Sequence, residues 1–422
     1  MTPEMEYLMH LFGCGARGVP ASPPKTPVDW ERVAKLASDQ SVTYTAAIAL
    51  KRDPLGCPPA TRERLLSSAR GAAVKNLLKT EQILSVVNAM QAAGIKTLVI
   101  KGADVARFYA HPELRVSADT DLLVAPQDEA AALAFLERSG FPLKKKRASD
   151  FNHSICAHPT LGLVELHIGL LPQMFRKTLT QCWDLDAHAM ETAQTVTAYE
   201  TTYLALEPTI ALLFLTEHMM KHFLYGGASL RMMMDTALYA IGNAGAIDRQ
   251  RYADALRETK YQYTVRLFFG ALVRYCGIDA DALPLPPAME EDAMTALLDD
   301  LEAGGWQGMN HEEHALDAWQ YYRYTGARDA QDDSELRQIG RESRREYKHA
   351  MFPTLRELQR DHPALRKHRW LYPFFVLLRL IGKFFKLLRG GVASPSIKRD
   401  RREDLTPDAQ ARLELFERLD LM

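Results

Sequence analysis

One short segment with two carboxylates constrains the fold more than any other part of the chain. Residues 119–124 read D-T-D-L-L-V. Successive side chains of a β-strand point to opposite faces, so Asp119 and Asp121 share one face while Leu122 and Val124 can enter a core on the other. The two carboxylates then lie about 6.5 Å apart, at ~3.3 Å per residue, and repel each other unless a positive group lies between them. The segment therefore predicts a strand with one apolar face and one cation-binding face.

A third carboxylate completes a candidate metal site. Glu165 lies within the apolar run L-V-E-L-H at residues 163–167, where a carboxylate is costly unless it is paired or bound to a metal. Mg²⁺ takes oxygen ligands and is usually held by one or two carboxylates together with substrate phosphates. We predict that Asp119, Asp121 and Glu165 ligate two Mg²⁺ ions and carry phosphoryl or nucleotidyl transfer, and that Glu165 helps to deprotonate the acceptor hydroxyl.

Four further residues are candidates for nucleotide binding. Gly102 follows a short β-rich run and precedes a predicted helix, so a phosphate could approach the backbone there. Lys101 and Arg115 would supply positive charge for a triphosphate. His167 shares the face of Glu165 and either supports the site or is a satisfied core histidine. This order of strand, Lys-Gly, helix, Arg, D-x-D and Glu is more specific than a D-x-D motif alone.

The composition is that of an ordinary soluble protein. The 422 residues are 47% hydrophobic and 25% charged, with a net charge of -1, so the chain can form two or three domains and has no global attraction for nucleic acid. The five cysteines are scattered without a C-x-x-C spacing, which predicts reduced thiols in a cytoplasmic protein. The N-terminus carries Glu4 and Glu6 and lacks a long apolar run, so we expect no secretory signal.

The pattern of apolar residues predicts an α+β protein with a small mixed sheet flanked by helices. Apolar residues at three- and four-residue spacing indicate helices before residue 95 and again from Pro208 onward, whereas short β-rich runs lie between. The predicted regions are a helical N-terminal region at 1–94, the α/β core at 95–200, a helical domain packing on it at 201–280, a helical or linker region at 281–361, and a basic amphipathic C-terminal region at 362–422.

The C-terminal region is basic. Residues 362–399 contain nine Lys or Arg residues and no Asp or Glu. Arg379, Lys383 and Lys386 form a basic stripe on an otherwise apolar helix and argue against a transmembrane span. A helix lying in the membrane interface and a helix packed on the protein with solvated cations both fit this pattern.

At the residues of the candidate site, the chain resembles a known family. The run V-I-K-G-A at 99–103, followed by Tyr109, Arg115, D-T-D-L-L-V and the later E-L-H, is similar to the uncharacterised nucleotidyltransferase-like family of the DNA polymerase β-type nucleotidyltransferase superfamily. The resemblance covers about residues 75–245. It implies transfer of a nucleoside monophosphate (NMP) from a nucleoside triphosphate (NTP) to an unidentified acceptor. In the wider superfamily Gly-Ser precedes the aspartates, whereas this chain has Lys-Gly.

Two other functions remain open from the sequence. One is a D-x-D glycosyltransferase, although such enzymes place several strands before the motif and only one is visible here. The other is a degenerate, non-catalytic scaffold, although all three acidic positions are retained. The acceptor is not identified by the sequence. We expect a small molecule, a peptide or a protein, because the absence of an aromatic-basic motif argues against nucleic acid.

The helices after residue 208 carry further polar pairs at i, i+4 spacing. His218 and His222 have the spacing of a zinc pair but lack the H-E-x-x-H order, so we expect them to line a cleft or to hydrogen-bond internally. Arg231 and Asp235 are expected to form an ion pair on one helix.

Overall fold

The computed structural model describes residues 1–147, 152–171 and 185–304, and in the C-terminal part residues 318, 321–323, 325, 369–377, 402 and 405–422. The chain divides into two compact units. The first comprises residues 1–310 and 419–421, and the second comprises residues 311–418 and 422.

Four helices form the N-terminal part of the first unit. They are α1 (Pro3–Arg17), α2 (Trp30–Asp39), α3 (Thr43–Ile48) and α4 (Pro59–Ala92). Side chains cap the first two, since Thr2 accepts from the Met5 backbone N–H and Asp29 accepts from that of Glu31. The prolines at 58 and 59 precede and open the 34-residue helix α4, where a missing N–H costs no helical hydrogen bond.

Seven strands of the described residues form one mixed sheet. They are β1 (Thr97–Val99), β2 (Asp119–Val124), β3 (Leu143–Lys145), β4 (His153–His158), β5 (Gly162–His167), β6 (Gln194–Ala198) and β7 (Thr201–Ala205). Their order across the sheet is β3-β4-β5-β2-β1-β7-β6. The pairs β2–β5 and β1–β7 are parallel, and the other neighbours are antiparallel. The strand with both aspartates is therefore central.

Further helices lie between these strands along the chain and after them. Between the strands lie α5 (Ala103–Ala106), α6 (Glu129–Arg138) and α7 (Leu185–Glu191). After the sheet follow α8 (Pro208–Tyr225), α9 (Leu230–Gly242), α10 (Arg249–Glu258), α11 (Gln262–Ala271) and α12 (Glu291–Gly304). A π-helical turn at Leu272–Cys276 extends α11.

One apolar cluster packs on one face of the sheet. Leu122 and Val124 of β2 pack there with Val87 of α4 and Leu136 of α6, and all four are at most 1% exposed. Because the side chains alternate, Asp119 and Asp121 point to the opposite face. The predicted division of this segment into an apolar face and a carboxylate face is confirmed.

The second unit is described in part. Its helix at Pro407–Arg418 buries Leu413 and Phe416, and the Phe416 ring meets Tyr322 edge-on at 5.8 Å between centroids. A 3₁₀ turn at Arg369–Leu371 continues as a helix over 372–377. The rest of the predicted basic stripe, including Arg379, Lys383 and Lys386, lies outside the described residues. No described helix combines the length and the apolar character that a membrane span requires.

The predicted α+β class is confirmed, whereas two strands were not predicted. β6 and β7 are absent from the sequence-based assignment because β6 is a polar edge strand without a buried residue and only Tyr203 and Ala205 of β7 are buried. A positive-φ turn at Tyr199 and Glu200 joins them without glycine. Helix α12 begins at Glu291, within the region 281–361 that was predicted to be helical or a linker.

Two glycines let α1 approach its neighbours closely. A Cβ atom built at Gly15 would lie 1.8 Å from the Thr45 carbonyl oxygen, and one at Gly13 would lie 2.2 Å from that of Cys276. Both contacts are to backbone atoms, which cannot rotate away. Helix α1 is therefore seated against α3 and the π-helical turn through residues that have no side chain.

We expect Gly15→Ala to lower the free energy of unfolding by about 2 kcal/mol, because the overpacking outweighs the better helix propensity of alanine. Gly71→Ala in α4 is the matched control, since its added methyl group meets no atom within 4 Å; this variant should be about 0.5–1 kcal/mol more stable than wild type. Urea unfolding of both variants measures the difference. Equal shifts in the same direction would contradict the packing argument.

Candidate active site

Strand register brings the predicted carboxylates together. In the parallel pair of β2 and β5, Asp121 is the partner of Glu165 and Leu123 is the partner of His167. Residues in register share a face, and residues two apart on a strand share it too. Oxygens of Asp119, Asp121 and Glu165 consequently lie within 4.8 Å of one another, which is a spacing that can hold a metal ion.

The Asp121 carboxylate is the buried centre of this cluster. Asp121 is 1% exposed, whereas Asp119 and Glu165 are only half-buried. A buried carboxylate flanked by two further carboxylates fits an oxygen-ligated divalent cation. The three residues therefore form a candidate metal centre.

Two positive groups lie next to the Asp121 carboxylate. Lys101 Nζ lies 3.1 Å from Asp121 Oδ2, and His167 Nε2 lies 3.3 Å from Oδ1. Burial alone would raise the pKa of Asp121, but Lys101 and His167 outweigh it and hold that pKa well below its usual range. Burial likewise would lower the pKa of Lys101, but Asp121 and Asp119 raise it. Lys101 is therefore an ion-pair partner of the metal centre.

His167 joins two of the carboxylates. Its Nε2 atom is also 3.6 Å from Glu165 Oε2, close enough for attraction but not aligned for a hydrogen bond. Burial works to lower the pKa of His167, and the carboxylates of Asp121 and Glu165 raise it above the ordinary histidine value. His167 thus contacts the predicted metal ligands, and its predicted role in nucleotide binding stays a prediction.

Asn152 orients two imidazole rings at the edge of the cluster. His153 Nδ1 donates to Asn152 Oδ1 at 3.2 Å, and Asn152 Nδ2 lies 3.1 Å from His167 Nδ1. The same amide nitrogen donates to the carbonyls of Gly169 and Leu170, which fixes its orientation. His153 and His167 are cross-strand partners, and their Nε2 atoms both face Glu165. No sequence pattern predicts that Asn152 and His153 support the site, because their contacts depend on the register of β4 with β5.

Helix α4 anchors the loop that leads into β2. Lys79 donates to the backbone carbonyls of Ser117 and Asp119 at 2.9 and 3.1 Å. Burial lowers the pKa of Lys79 to about 8. One turn earlier, Asn76 donates to the carbonyls of Glu113 and Arg115. These side chains, which the sequence analysis missed, fix the path of the backbone just before Asp119.

Gly102 occupies a conformation that favours glycine. It lies between β1 and α5 with φ +70° and ψ −109°. A Cβ atom there would meet no neighbour within 4 Å, so the requirement is conformational and not steric. The turn places Lys101 next to Asp121, and the phosphate contact predicted for Gly102 stays a prediction.

The predicted pairing of Asp235 is corrected by the structure. Asp235 accepts from Arg115 Nε and Nη2 at 2.9 and 2.6 Å and from the Tyr109 hydroxyl at 2.8 Å. Arg231, the expected partner, instead donates to the Val116 carbonyl at 2.7 Å. Helical spacing places Arg231 and Asp235 near each other, but the bidentate geometry with Arg115 is a stronger interaction. The triphosphate role predicted for Arg115 stays a prediction, and its guanidinium is buried in this ion pair.

The carboxylate face opens into a cavity of about 560 Å³. Three parts of the chain line it: the sheet with the segment before β2, the α2–α3 connection, and helices α8 and α9. The lining residues are Ser38, Ser41, Thr43, Tyr44, Lys101, Arg115, Val116, Ser117, Ala118, Asp119, His153, Leu163, Glu165, Leu215, His218, Lys221, His222, Arg231, Met232 and Asp235. The prediction that His218 and His222 line a cleft is confirmed.

Glu217 is a buried acid on α8, beside the cavity wall. It is fully buried, and neither carboxylate oxygen has a hydrogen-bond partner among the described residues. Burial raises its pKa to about 8, although Lys221 one turn later acts to lower it. At neutral pH the side chain is therefore mainly the uncharged acid.

We expect Glu217→Gln to raise the free energy of unfolding at pH 7 by about 2 kcal/mol. A carboxyl with a pKa near 4.3 in the unfolded chain and about 8 in the fold takes up a proton on folding. Stability is therefore lost as the pH rises through this interval, by ~1.4 kcal/mol per pH unit at most. Denaturant unfolding from pH 5 to pH 8 measures the effect: the difference between variant and wild type should grow with pH. A difference that is constant with pH would contradict the raised pKa.

Comparisons with known proteins agree with this geometry. A family model described as Uncharacterised nucleotidyltransferase matches residues 26–276, which is more than half of the chain and includes the whole carboxylate cluster. Comparisons with curated proteins and with solved structures found no match. The sequence resemblance and the matching family model therefore indicate the same family. The chain belongs to the uncharacterised nucleotidyltransferase family.

Proposed function

We propose that this protein is a Mg²⁺-dependent nucleotidyltransferase that transfers an NMP from an NTP to an acceptor other than nucleic acid. The observation that carries the proposal is the cluster of Asp119, Asp121 and Glu165 on one face of two parallel strands, open to a cavity large enough for a nucleotide. Membership of a nucleotidyltransferase family supports it.

Asp119, Asp121 and Glu165 would hold the metal. All three offer hard oxygen ligands, and the Asp121 carboxylate lies in the buried part of the cluster. This donor set favours Mg²⁺ over softer metals. Bound Mg²⁺ would neutralise phosphate charge and clamp the attacking and leaving oxygens of an in-line displacement.

The transfer would break one bond and form one. The acceptor hydroxyl oxygen bonds to the α-phosphorus while the bond from that phosphorus to the α,β-bridging oxygen breaks, and pyrophosphate leaves with that oxygen. The acceptor proton goes to a base, for which half-buried Glu165 at the cavity edge is the best placed group. Lys101 and His167 would keep Asp121 ionised throughout.

The expected result for Asp119→Asn and Asp121→Asn is loss of transfer by about a hundredfold or more, because the site loses charge that holds the metal. Incorporation of label from α-labelled NTPs into a cell extract measures this and supplies candidate acceptors. Asp281→Asn is a matched control, because this exposed acid lies outside the cavity lining. Thermal unfolding of each variant controls for folding, most importantly for Asp121. Equal labelling by wild type and both site variants would refute the proposal.

We also propose that residues 362–399 contact an anionic membrane surface. Among the described residues of this segment, Trp370, Phe374 and Leu377 are 76%, 54% and 54% exposed. Their spacing of four and three residues places them on one side of a helical segment. An exposed apolar side within a cationic segment is typical of a helix lying in a membrane interface.

Trp370→Ser with Phe374→Ser should weaken co-sedimentation with vesicles that contain anionic lipid, and deletion of 362–399 should weaken it further, because both apolar area and positive charge are lost. Val74→Ser with Leu78→Ser is the control, since these residues are exposed on α4 by 60% and 52% without a basic segment around them. Unchanged sedimentation of the deletion variant would exclude membrane contact through this segment.

A further inference from the structure

The cavity contains more cations than its carboxylates engage. Lys101 is neutralised by Asp121, and Arg115 is neutralised by Asp235. Both pairs are buried. The first lies at the sheet, and the second joins the segment before β2 to α9. The two cations expected from the sequence to bind a triphosphate are therefore already committed within the protein.

Lys221 and Arg231, on helices α8 and α9, are not committed in this way. The Lys221 side chain lines the cavity and makes no hydrogen bond or ion pair within the described chain. Arg231 gives one N–H to the Val116 carbonyl, while its buried Nε has no partner within the described residues. An arginine and a lysine held at a cavity without carboxylate partners are unusual, because an unpaired charge is costly to bury.

The neighbouring groups offset these charges only in part. Burial, followed by Lys101, lowers the pKa of Lys221, and the carboxylates of Glu165 and Asp121 act against this without forming an ion pair with it. Glu217 is the acid closest to Lys221 along the helix, and it is mainly uncharged at neutral pH, as described above. His218 accepts from Lys101 Nζ at 3.3 Å through Nε2. Burial and the nearby cations hold the pKa values of His218 and His222 well below the ordinary histidine value. The wall formed by α8 and α9 therefore has a net positive charge and neutral hydrogen-bonding imidazoles.

We propose that Lys221 and Arg231 bind the β- and γ-phosphates of the donor, which are the pyrophosphate group that leaves in the transfer. This inference rests on the proposed function. Carboxylates repel phosphate except where a metal intervenes, so we place the distal phosphates against the cations of α8 and α9. A fork-shaped guanidinium and a flexible ammonium together suit two adjacent phosphates.

The two cations also select the class of donor. A nucleoside monophosphate has no distal phosphate, and in a nucleotide-sugar the β-phosphate is esterified and carries less charge. Only a triphosphate chain places both a β-phosphate and a terminal γ-phosphate, with up to three negative charges between them, at the two cations. Selection of an NTP is therefore attributed to the helical wall and not to the Lys-Gly turn.

Isothermal titration of the full chain with inorganic tripolyphosphate in EDTA tests this assignment. Wild type should bind tripolyphosphate more tightly than pyrophosphate, and pyrophosphate more tightly than orthophosphate. Lys221→Met should weaken tripolyphosphate binding by about tenfold or more, since a charge-assisted contact is lost. Arg231→Lys, which keeps the charge but removes the fork, should weaken it less. Lys75→Met is the control, because this exposed lysine of α4 lies outside the cavity lining.

The folding of these variants is checked independently. Since the Lys221 side chain has no partner among the described residues, Lys221→Met should have the Tm of wild type or a higher one, so weaker binding would not reflect unfolding. Tripolyphosphate bound equally by wild type, Lys221→Met and Arg231→Lys would overturn the assignment, as would binding no tighter than that of orthophosphate.

Asp119→Asn separates this assignment from the proposed function. In EDTA this variant should bind tripolyphosphate as tightly as wild type or more tightly, because it removes a repelling carboxylate while leaving both cations. Loss of transfer in Asp119→Asn combined with normal tripolyphosphate binding by Lys221→Met would leave the transferase proposal standing and refute the cation assignment. The reverse result would identify a polyphosphate site without the transferase.

Discussion

The site depends on the charge balance of a single buried carboxylate. Asp121 is 1% exposed at the centre of a seven-stranded sheet, and an isolated ionised carboxylate is not tolerated there. Lys101 from the adjacent strand end and His167 from β5 approach it from two sides and keep it ionised. The position of the Lys-Gly turn follows from this requirement, because the lysine must reach Asp121 while the chain reverses at Gly102. The charge that organises the fold here is the same charge that a metal ion would use.

Local periodicity was enough to predict the parts of the fold and site that depend on one strand at a time. The alternation within residues 119–124 separated the carboxylates from Leu122 and Val124, and the apolar run around Glu165 indicated a second strand. The sequence could not show that β2 and β5 are parallel neighbours in a register that pairs Asp121 with Glu165. The family resemblance supplied that relation, because its motif implies that these residues meet. The edge strand β6 was missed because a polar strand without a buried residue lacks the signal on which such predictions depend.

Residues that support the site from a distance were beyond prediction for a related reason. Asn152 holds two histidines through a side chain whose orientation is set by the carbonyls of Gly169 and Leu170. In the sequence, Lys79 is one of several cations on a long helix, yet its ammonium group donates to the backbone carbonyl of Asp119. The ion pair of Arg115 with Asp235 joins residues 120 positions apart, whereas the sequence favoured the local pair with Arg231. Spacing identifies neighbours along a helix, but the partner with better geometry came from another part of the chain.

The cavity combines acids and cations that come from different elements. Asp119 and Glu165 belong to the strands, whereas Lys221 and Arg231 belong to α8 and α9 and have no carboxylate at ion-pair distance among the described residues. Asp235 of α9 also lines the cavity, but it is held in a buried ion pair. Neighbouring carboxylates repel each other, as do neighbouring cations, so each group favours a ligand of opposite charge. A metal ion suits the carboxylates and a polyphosphate chain suits the cations, so the charges that the protein does not neutralise internally favour a metal-bound polyphosphate.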